Sequence, residues 1–236
     1  MMIKVLKADL LKMKRKWIWF LVFLGPLGIV GLQAVNFGLR YDYLVGQAED
    51  VWQELLQNVN VLIPITLLLG IAILASMTAN VEHQQNAWKQ LLALPVSRTA
   101  VFTAKFIENV LLLLVACFLL VIETIILGIA LRFGFDFPLL QVIKNSFYPL
   151  FAALPIMALQ VWLSITMRNQ ALPLTIGIFG AIFSLYSVRG PDWLIWKWPL
   201  LISDKHQPEW FVMVGLAVGL LILLFGIFDF EKRDVK

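Results

Sequence analysis

The chain has 236 residues, of which 61% are apolar and only 14% are charged, and it contains nine tryptophans. Because soluble domains are about half apolar and about a quarter charged, this composition excludes an ordinary soluble domain and predicts a bilayer protein. The formal net charge is +4, but six of the nineteen Lys and Arg residues lie in the first sixteen positions, beside an apolar run. This placement indicates membrane orientation and argues against a nucleic-acid partner.

Residues 1–16 have an amphipathic pattern. Apolar residues from Met2 to Met13 recur at helical spacing, and the basic residues fall largely on the other faces. The pattern predicts an interfacial helix on the cytosolic membrane surface. A basic anchor that only fixes topology or binds anionic membrane lipid is the alternative interpretation. The basic residues that the pattern places largely on these other faces are Lys4, Lys7, Lys12, Lys14 and Arg15.

Six apolar runs have about the length, ~20 residues, that a helix needs to cross a hydrocarbon core of ~30 Å. Backbone groups in lipid must be hydrogen-bonded internally and the sequence lacks the alternation of a barrel, so an all-α integral membrane fold is predicted. A Gly25-Pro26 pair predicts a kink in the first span, and an acidic loop is predicted over 40–57. The predicted spans are about 17–39, 58–79, 106–131, 146–167, 171–187 and 209–228.

The basic residues also predict the orientation. Six spans place both termini on one side, and thirteen of the nineteen Lys and Arg residues fall on that side. The positive-inside rule therefore predicts cytosolic termini. No linker, low-complexity tract or convincing repeat divides the sequence, so residues 1–236 are predicted to form one membrane domain.

The sequence contains no evident catalytic or metal-binding constellation. His83 and His206 are predicted on opposite sides of the membrane, and no Cys-x-x-Cys or His-Glu-x-x-His motif occurs. The phosphate-binding Gly-Lys-Ser/Thr motif is also absent, so any ATP that is used must be hydrolysed by another chain. The single cysteine, Cys117, lies in an apolar run and is predicted to be a small buried hydrophobe.

Glu123 is an unusual residue because it lies inside the third predicted span, in the run VIETIIL. Ionisable groups at membrane depth are costly and are functional candidates. Two interpretations stay open, a proton carrier and a neutral carboxyl that is hydrogen-bonded to a neighbouring helix. Glu108, nearer the cytosolic end of the same span, is predicted to pair with Lys105 one turn earlier.

Most tryptophans lie near predicted span ends and indicate an aromatic belt at the membrane surfaces. The loop 188–208 is an exception, because its run WLIWKWPLLI is too apolar for a free loop. A short half-helix or lid in the outer leaflet is predicted there.

The segment between the second and third spans, NVEHQQNAWKQLLALPVSRTAVFTAKF, is more elaborate than a turn requires. Its first half places Trp88 and Leu91 on one helical flank, and Pro95 ends that helix. Ser97 or Thr99 can then cap the next helix. A short helix of this kind, lying across the membrane face, fits a cleft on a soluble partner.

This segment resembles the one between spans 2 and 3 of ABC-2 type permeases, particularly the small permeases of bacterial lantibiotic and bacitracin self-protection (immunity) transporters. The most specific part is WKQLL followed by LPVSR and KF, and the overall architecture extends the resemblance over the whole chain. The resemblance implies a subunit in the bacterial cytoplasmic membrane, paired with a second permease chain, identical or paralogous. It also implies two copies of a separate ATP-binding protein, which holds the ATP and Mg²⁺, while this chain binds no cofactor.

In the scheme that the resemblance implies, the N-terminal helix and a coupling helix over 84–94 contact the ATPases. Nucleotide closure then moves spans 1, 2 and 5 of the facing permeases. Glu82 matches an acidic residue that is frequent before the coupling helix, and it is expected to meet a basic residue of the ATPase. The implied contact residues are Glu82, Gln85, Trp88, Lys89, Leu91 and Leu92.

The resemblance thus predicts an ATP-driven exporter permease that removes an antimicrobial peptide or another amphiphile from the membrane. Few polar residues occur in the spans, which disfavours a wide aqueous pore, and the acidic loop over 40–57 suits a cationic peptide. One alternative is a secondary transporter with Glu123 as its proton carrier, although no inverted repeat or partner charge supports it. Another is a non-transporting scaffold or sensor subunit.

Overall fold

The computed structural model describes residue 6, residues 17–84 and residues 97–232, and these ranges contain helices and no strand. Two 3₁₀ helices, Ser187–Arg189 and Trp198–Leu200, lie in the connection before the last long helix. Within residues 17–84 and 97–232, the α-helices are α1 (Ile18–Gly46), α2 (Val51–Gln84), α3 (Arg98–Ala130), α4 (Leu139–Ala152), α5 (Leu154–Thr166), α6 (Ala171–Tyr186) and α7 (Pro208–Lys232).

Five segments in the described ranges are long and apolar enough to cross a membrane: α1, α2, α3, α7, and α6 with the 3₁₀ helix after it. The pair α4 and α5 passes the same test together, with a bend of 46° between the two helices. Counted as one broken span, this pair gives the six spans that the apolar runs predict. The protein is therefore a multi-pass membrane protein.

The bend between α4 and α5 follows from Pro155, which lies in the first turn of α5 and has no N–H to donate to the preceding helix. Helix α7 packs closely against this bend. A Cβ atom at Gly215 would lie 2.6 Å from the carbonyl oxygen of Phe151, and one at Gly219 would lie 2.8 Å from the Cβ of Leu154. The four-residue spacing of these glycines gives α7 a smooth face that allows this close approach.

The helices on either side of the first connection are longer than predicted. Helix α1 continues to Gly46 and α2 begins at Val51, so most of the acidic loop predicted over 40–57 is helical. Asp50 accepts hydrogen bonds from the backbone N–H groups of Trp52 (2.9 Å) and Gln53 (3.3 Å), which caps α2.

The backbone of α1 departs from helical torsion angles at Arg40 and not at the Gly25-Pro26 pair, where the sequence predicts a kink. The helix therefore continues through Pro26. Near this pair, α1 stands partly away from α2 and α3 and leaves an apolar cleft of about 320 Å³. The cleft is lined by residues that include Gly25, Pro26, Ile29, Gly70 and Leu113.

Candidate functional site

Three buried charged residues meet where α2 ends and α3 begins. The ammonium of Lys105 lies 3.2 Å from Oε2 of Glu108 and 3.5 Å from Oε1 of Glu82. All three side chains are at most 3% exposed. We call Glu82, Lys105 and Glu108 the inner charge cluster, and we call this end of the bundle the inner end.

Helical spacing explains how the sequence builds this cluster. Lys105, Glu108 and Asn109 lie at positions i, i+3 and i+4 of α3, so they share one face. Thr78 and Glu82 lie one turn apart on α2 and face them. The amide of Asn109 donates to Thr78 Oγ1 (3.1 Å) and to the carbonyl oxygen of Lys105 (2.9 Å), which extends the polar layer beside the charges.

Hydrogen bonds tie the neighbouring helix ends to this layer. A ring nitrogen of His83 lies 3.1 Å from the carbonyl oxygen of Ser164 in α5. Arg98 donates to the carbonyl oxygen of Glu231 in α7 at 3.0 Å, and Thr99 also bonds to the Glu231 side chain. The inner ends of α2 and α5 are thus joined, as are those of α3 and α7.

Two local predictions at the inner end are confirmed. Lys105 and Glu108 form the predicted i,i+3 pair, although it is buried inside the bundle and not at its surface. Ser97 caps α3, because its hydroxyl accepts a hydrogen bond from the backbone N–H of Ala100 at 3.2 Å.

The environment of Glu82 differs from the expected one. Its resemblance-based role is contact with a basic residue of an ATPase, but in the structure the residue is fully buried and Lys105 supplies a cation within the same chain. The sequence offered no direct signal for this contact, since 23 positions separate the two residues. Glu82 is therefore placed to act on α3.

The other predicted ATPase contacts, Gln85, Trp88, Lys89, Leu91 and Leu92, lie outside the described residues. The same holds for the basic residues of the predicted interfacial helix, Lys4, Lys7, Lys12, Lys14 and Arg15. The chain leaves the described part after Gln84 and re-enters it at Ser97. Residues 85–96 therefore connect the two helix ends that meet at the inner charge cluster.

Glu123 lies on α3 and is partly buried, and its Oε2 atom is buried with no hydrogen-bond partner in the described residues. Within residues 17–84 and 97–232, Oε2 therefore does not make the bond to a neighbouring helix that the structural interpretation of Glu123 requires. The hydroxyl of the adjacent Thr124 is also buried without a partner in the described part of the chain.

At the opposite end, which we call the outer end, Asp192 organises the connection between α6 and α7. Its carboxylate bonds to Lys197 (2.9 Å) and Ser203 (2.7 Å) and lies 3.1 Å from Nδ1 of His206. The Lys197 hydrogen bond, followed by that of Ser203, lowers the pKa of Asp192 well below its usual range. Ser203 donates to Asp192, so the group lacks the serine-to-histidine hydrogen bond of a nucleophilic triad.

The same connection packs onto the bundle. Trp198 is buried and its ring nitrogen donates to the backbone carbonyl of Asp192 at 2.7 Å. Trp193, in contrast, is 74% exposed. In place of the predicted half-helix, the apolar run contains the three-residue 3₁₀ helix Trp198–Leu200. The sequence indicates that this loop is unusually apolar, but it does not predict that Asp192 bonds to Lys197 and Ser203 within the loop.

A cavity of about 770 Å³ opens at the outer end, between α2, α4 and the connection before α7. Lys144 and Glu209 form an ion pair of 2.9 Å at this cavity, and their side chains are 41% and 48% exposed. We call this space the outer cavity. In the described ranges, no group of three His, Cys, Asp or Glu side chains is placed to hold a metal ion.

One sequence family matches this helical, multi-pass membrane chain. The family described as ABC-2 family transporter protein matches residues 5–184, which is most of the chain and includes four of the six spans and most of the fifth. No curated protein matches the chain, and no solved structure matches it. The chain is a member of the ABC-2 transporter family, whose members are membrane components that generally work with an ATP-binding subunit.

Proposed function

We propose that this chain is the permease subunit of an ATP-driven exporter and that a separate ATPase supplies the hydrolysis. The inner charge cluster is the observation that carries this proposal. It joins the two helices that residues 85–96 connect, and its three charges are buried. Separating the partners of a buried ion pair leaves uncompensated charges inside the protein and is strongly destabilising. The ends of α2 and α3 are therefore expected to move together.

The proposed coupling runs from the ATPase through this connection. Residues 84–94 form the coupling helix in the proposal, with Trp88 and Leu91 in a cleft of the ATPase and Glu82 acting inside the permease. The segment 1–16 forms a second contact on the same face. A displacement of the coupling helix by the ATPase then moves α2 through Glu82 and α3 through Lys105. The inner end is cytosolic in this arrangement, consistent with the distribution of Lys and Arg residues.

The proposed assembly contains two ATPase copies and a second permease chain, identical or paralogous, in the bacterial cytoplasmic membrane. ATP and Mg²⁺ are held by the ATPase copies. The proposed cargo is a cationic antimicrobial peptide or another amphiphile, as in lantibiotic self-protection and antibiotic resistance. At the outer end, the exposed Asp42 and Glu49 are negative charges close to the first connection, which suits a cationic cargo.

Co-purification from membranes tests the coupling helix. The full-length chain is expected to retain a soluble protein with ATPase activity, and Trp88→Ala or Leu91→Asp is expected to release it. Trp193→Ala is the matched control, because Trp193 is exposed at the outer end. Complete assembly of both coupling-helix variants with the ATPase would contradict the proposed contact.

One observation favours a second candidate, a proton-coupled secondary transporter. The Oε2 atom of Glu123 is buried without a hydrogen-bond partner in the described residues, so this carboxyl could exchange a proton. That function predicts transport that continues after ATP depletion and stops with Glu123→Gln. The ATP-driven exporter predicts the reverse pattern, and a scaffold or sensor subunit predicts no transport after reconstitution of the purified components.

A further inference from the structure

We propose that the outer cavity binds a zwitterionic phospholipid with an amine head group, such as phosphatidylethanolamine. This inference is independent of the proposed transport function. The cavity volume of about 770 Å³ is within the range of about 300–1,000 Å³ that is usual for small-molecule sites. Its walls are mainly apolar, and its charges are confined to one ion pair.

The ion pair matches the two charges of the head group. Lys144 and Glu209 are 2.9 Å apart and both line the cavity with partly exposed side chains. A phosphate beside Lys144 and an ammonium beside Glu209 would each meet an opposite charge. An anionic lipid without the ammonium would gain the contact with Lys144 but would place no cation beside Glu209.

The rest of the cavity suits the glycerol region and the start of an acyl chain. The side-chain amides of Gln57, Asn60 and Gln141 line the cavity and make no hydrogen bond within the described part of the chain. They can therefore donate to ester oxygens of a lipid. Val61 and Leu185, which are 69% and 44% exposed, continue the apolar lining onto surfaces of membrane-spanning helices. A lipid can thus enter from the adjoining leaflet.

The test uses the purified full-length chain in detergent and measures bound lipid by native mass spectrometry during titration. Phosphatidylethanolamine is expected to bind more tightly than phosphatidylglycerol. Lys144→Gln is expected to weaken phosphatidylethanolamine binding about tenfold, the usual order for one charged hydrogen bond. Glu209→Gln is expected to remove the preference between the two lipids. The charge exchange Lys144→Glu with Glu209→Lys keeps both charges and is expected to retain that preference.

Matched controls are Lys205→Gln and Glu49→Gln, because both residues are exposed at the outer end and neither lines the cavity. The proposal is overturned if these controls weaken binding as much as the cavity variants do. It is also overturned if the wild-type chain binds both lipids equally. Free phosphoethanolamine, the soluble head group, is the final probe. If it displaces the lipid at an equal concentration, the cavity is a site for soluble zwitterions, and this result would contradict the assignment to lipid.

Discussion

Replacement of Lys105 by methionine tests the energetic importance of the inner charge cluster. Methionine keeps much of the side-chain length but removes the cation that lies 3.2 Å from Glu108 and 3.5 Å from Glu82. All three side chains are almost completely buried, so water cannot replace the lost charge. Removal of one partner from a buried pair typically costs about 3–5 kcal/mol. At about 2–4 °C per kcal/mol for a chain of this size, the Tm is expected to fall by about 6–20 °C.

Thermal unfolding of the purified chain in one detergent, followed by circular dichroism, provides the measurement. Lys144→Met is the matched control, because the Lys144–Glu209 pair has a similar separation but both of its side chains are more than two fifths exposed. Water and salt screen such a pair, so the control is expected to shift the Tm much less.

A second substitution distinguishes the lost charge from a packing defect. Glu108→Gln added to Lys105→Met removes one of the two carboxylate charges that face the vacated position, so it is expected to recover part of the Tm. If Lys105→Met melts within 2 °C of the wild type, or if the second substitution lowers the Tm further, the cluster does not hold the helix ends as we infer.

The remaining predictions concern helix packing, capping and the outer connection. Gly219→Leu is expected to destabilise the chain by about 1–3 kcal/mol because α7 cannot keep its approach to α5, whereas Gly38→Leu has open space and little effect on the Tm. Ser97→Ala removes the α3 cap and is expected to cost about 1 kcal/mol in thermal unfolding. Asp192→Asn is expected to speed hydrogen exchange over 190–207 at pH 7. Because the pKa of Asp192 is lowered on folding, the difference from wild type persists down to about pH 4, the unfolded value, and shrinks below it.

The sequence predicts features that depend on local spacing or on hydropathy. The predicted spans overlap the observed helices because about twenty apolar residues in a row have few alternatives to a membrane helix. The pairing of Lys105 with Glu108 and the cap at Ser97 follow from distances of three residues, which helical geometry fixes. These features need no knowledge of which helices become neighbours.

Features that join distant segments could not be predicted in the same way. The contact of Glu82 with Lys105 and that of Lys144 with Glu209 depend on how helices pack, and the latter spans 65 positions. The sequence predicts the acidic stretch after Arg40 as a loop, because a fall in hydropathy marks the point where a helix leaves the membrane. The helix itself can continue beyond that point, as α1 does to Gly46. Asp is a preferred residue at the N-terminal cap of a helix. The position of Asp50 directly before Val51 could therefore have indicated the start of α2.

The apolar cleft beside Gly25 and Pro26 has a consequence for the mechanics of the bundle. Helix α1 packs mainly against α2 and α3, whereas α7 contacts α3, α4 and α5 and is tied to α3 through Arg98. Part of the α1 interface is already open, so α1 can tilt while few interior contacts are lost. The interface of α1 with α2 and α3 is therefore expected to resist such a tilt less than a fully packed interface would, and α1 directly follows segment 1–16 in the sequence.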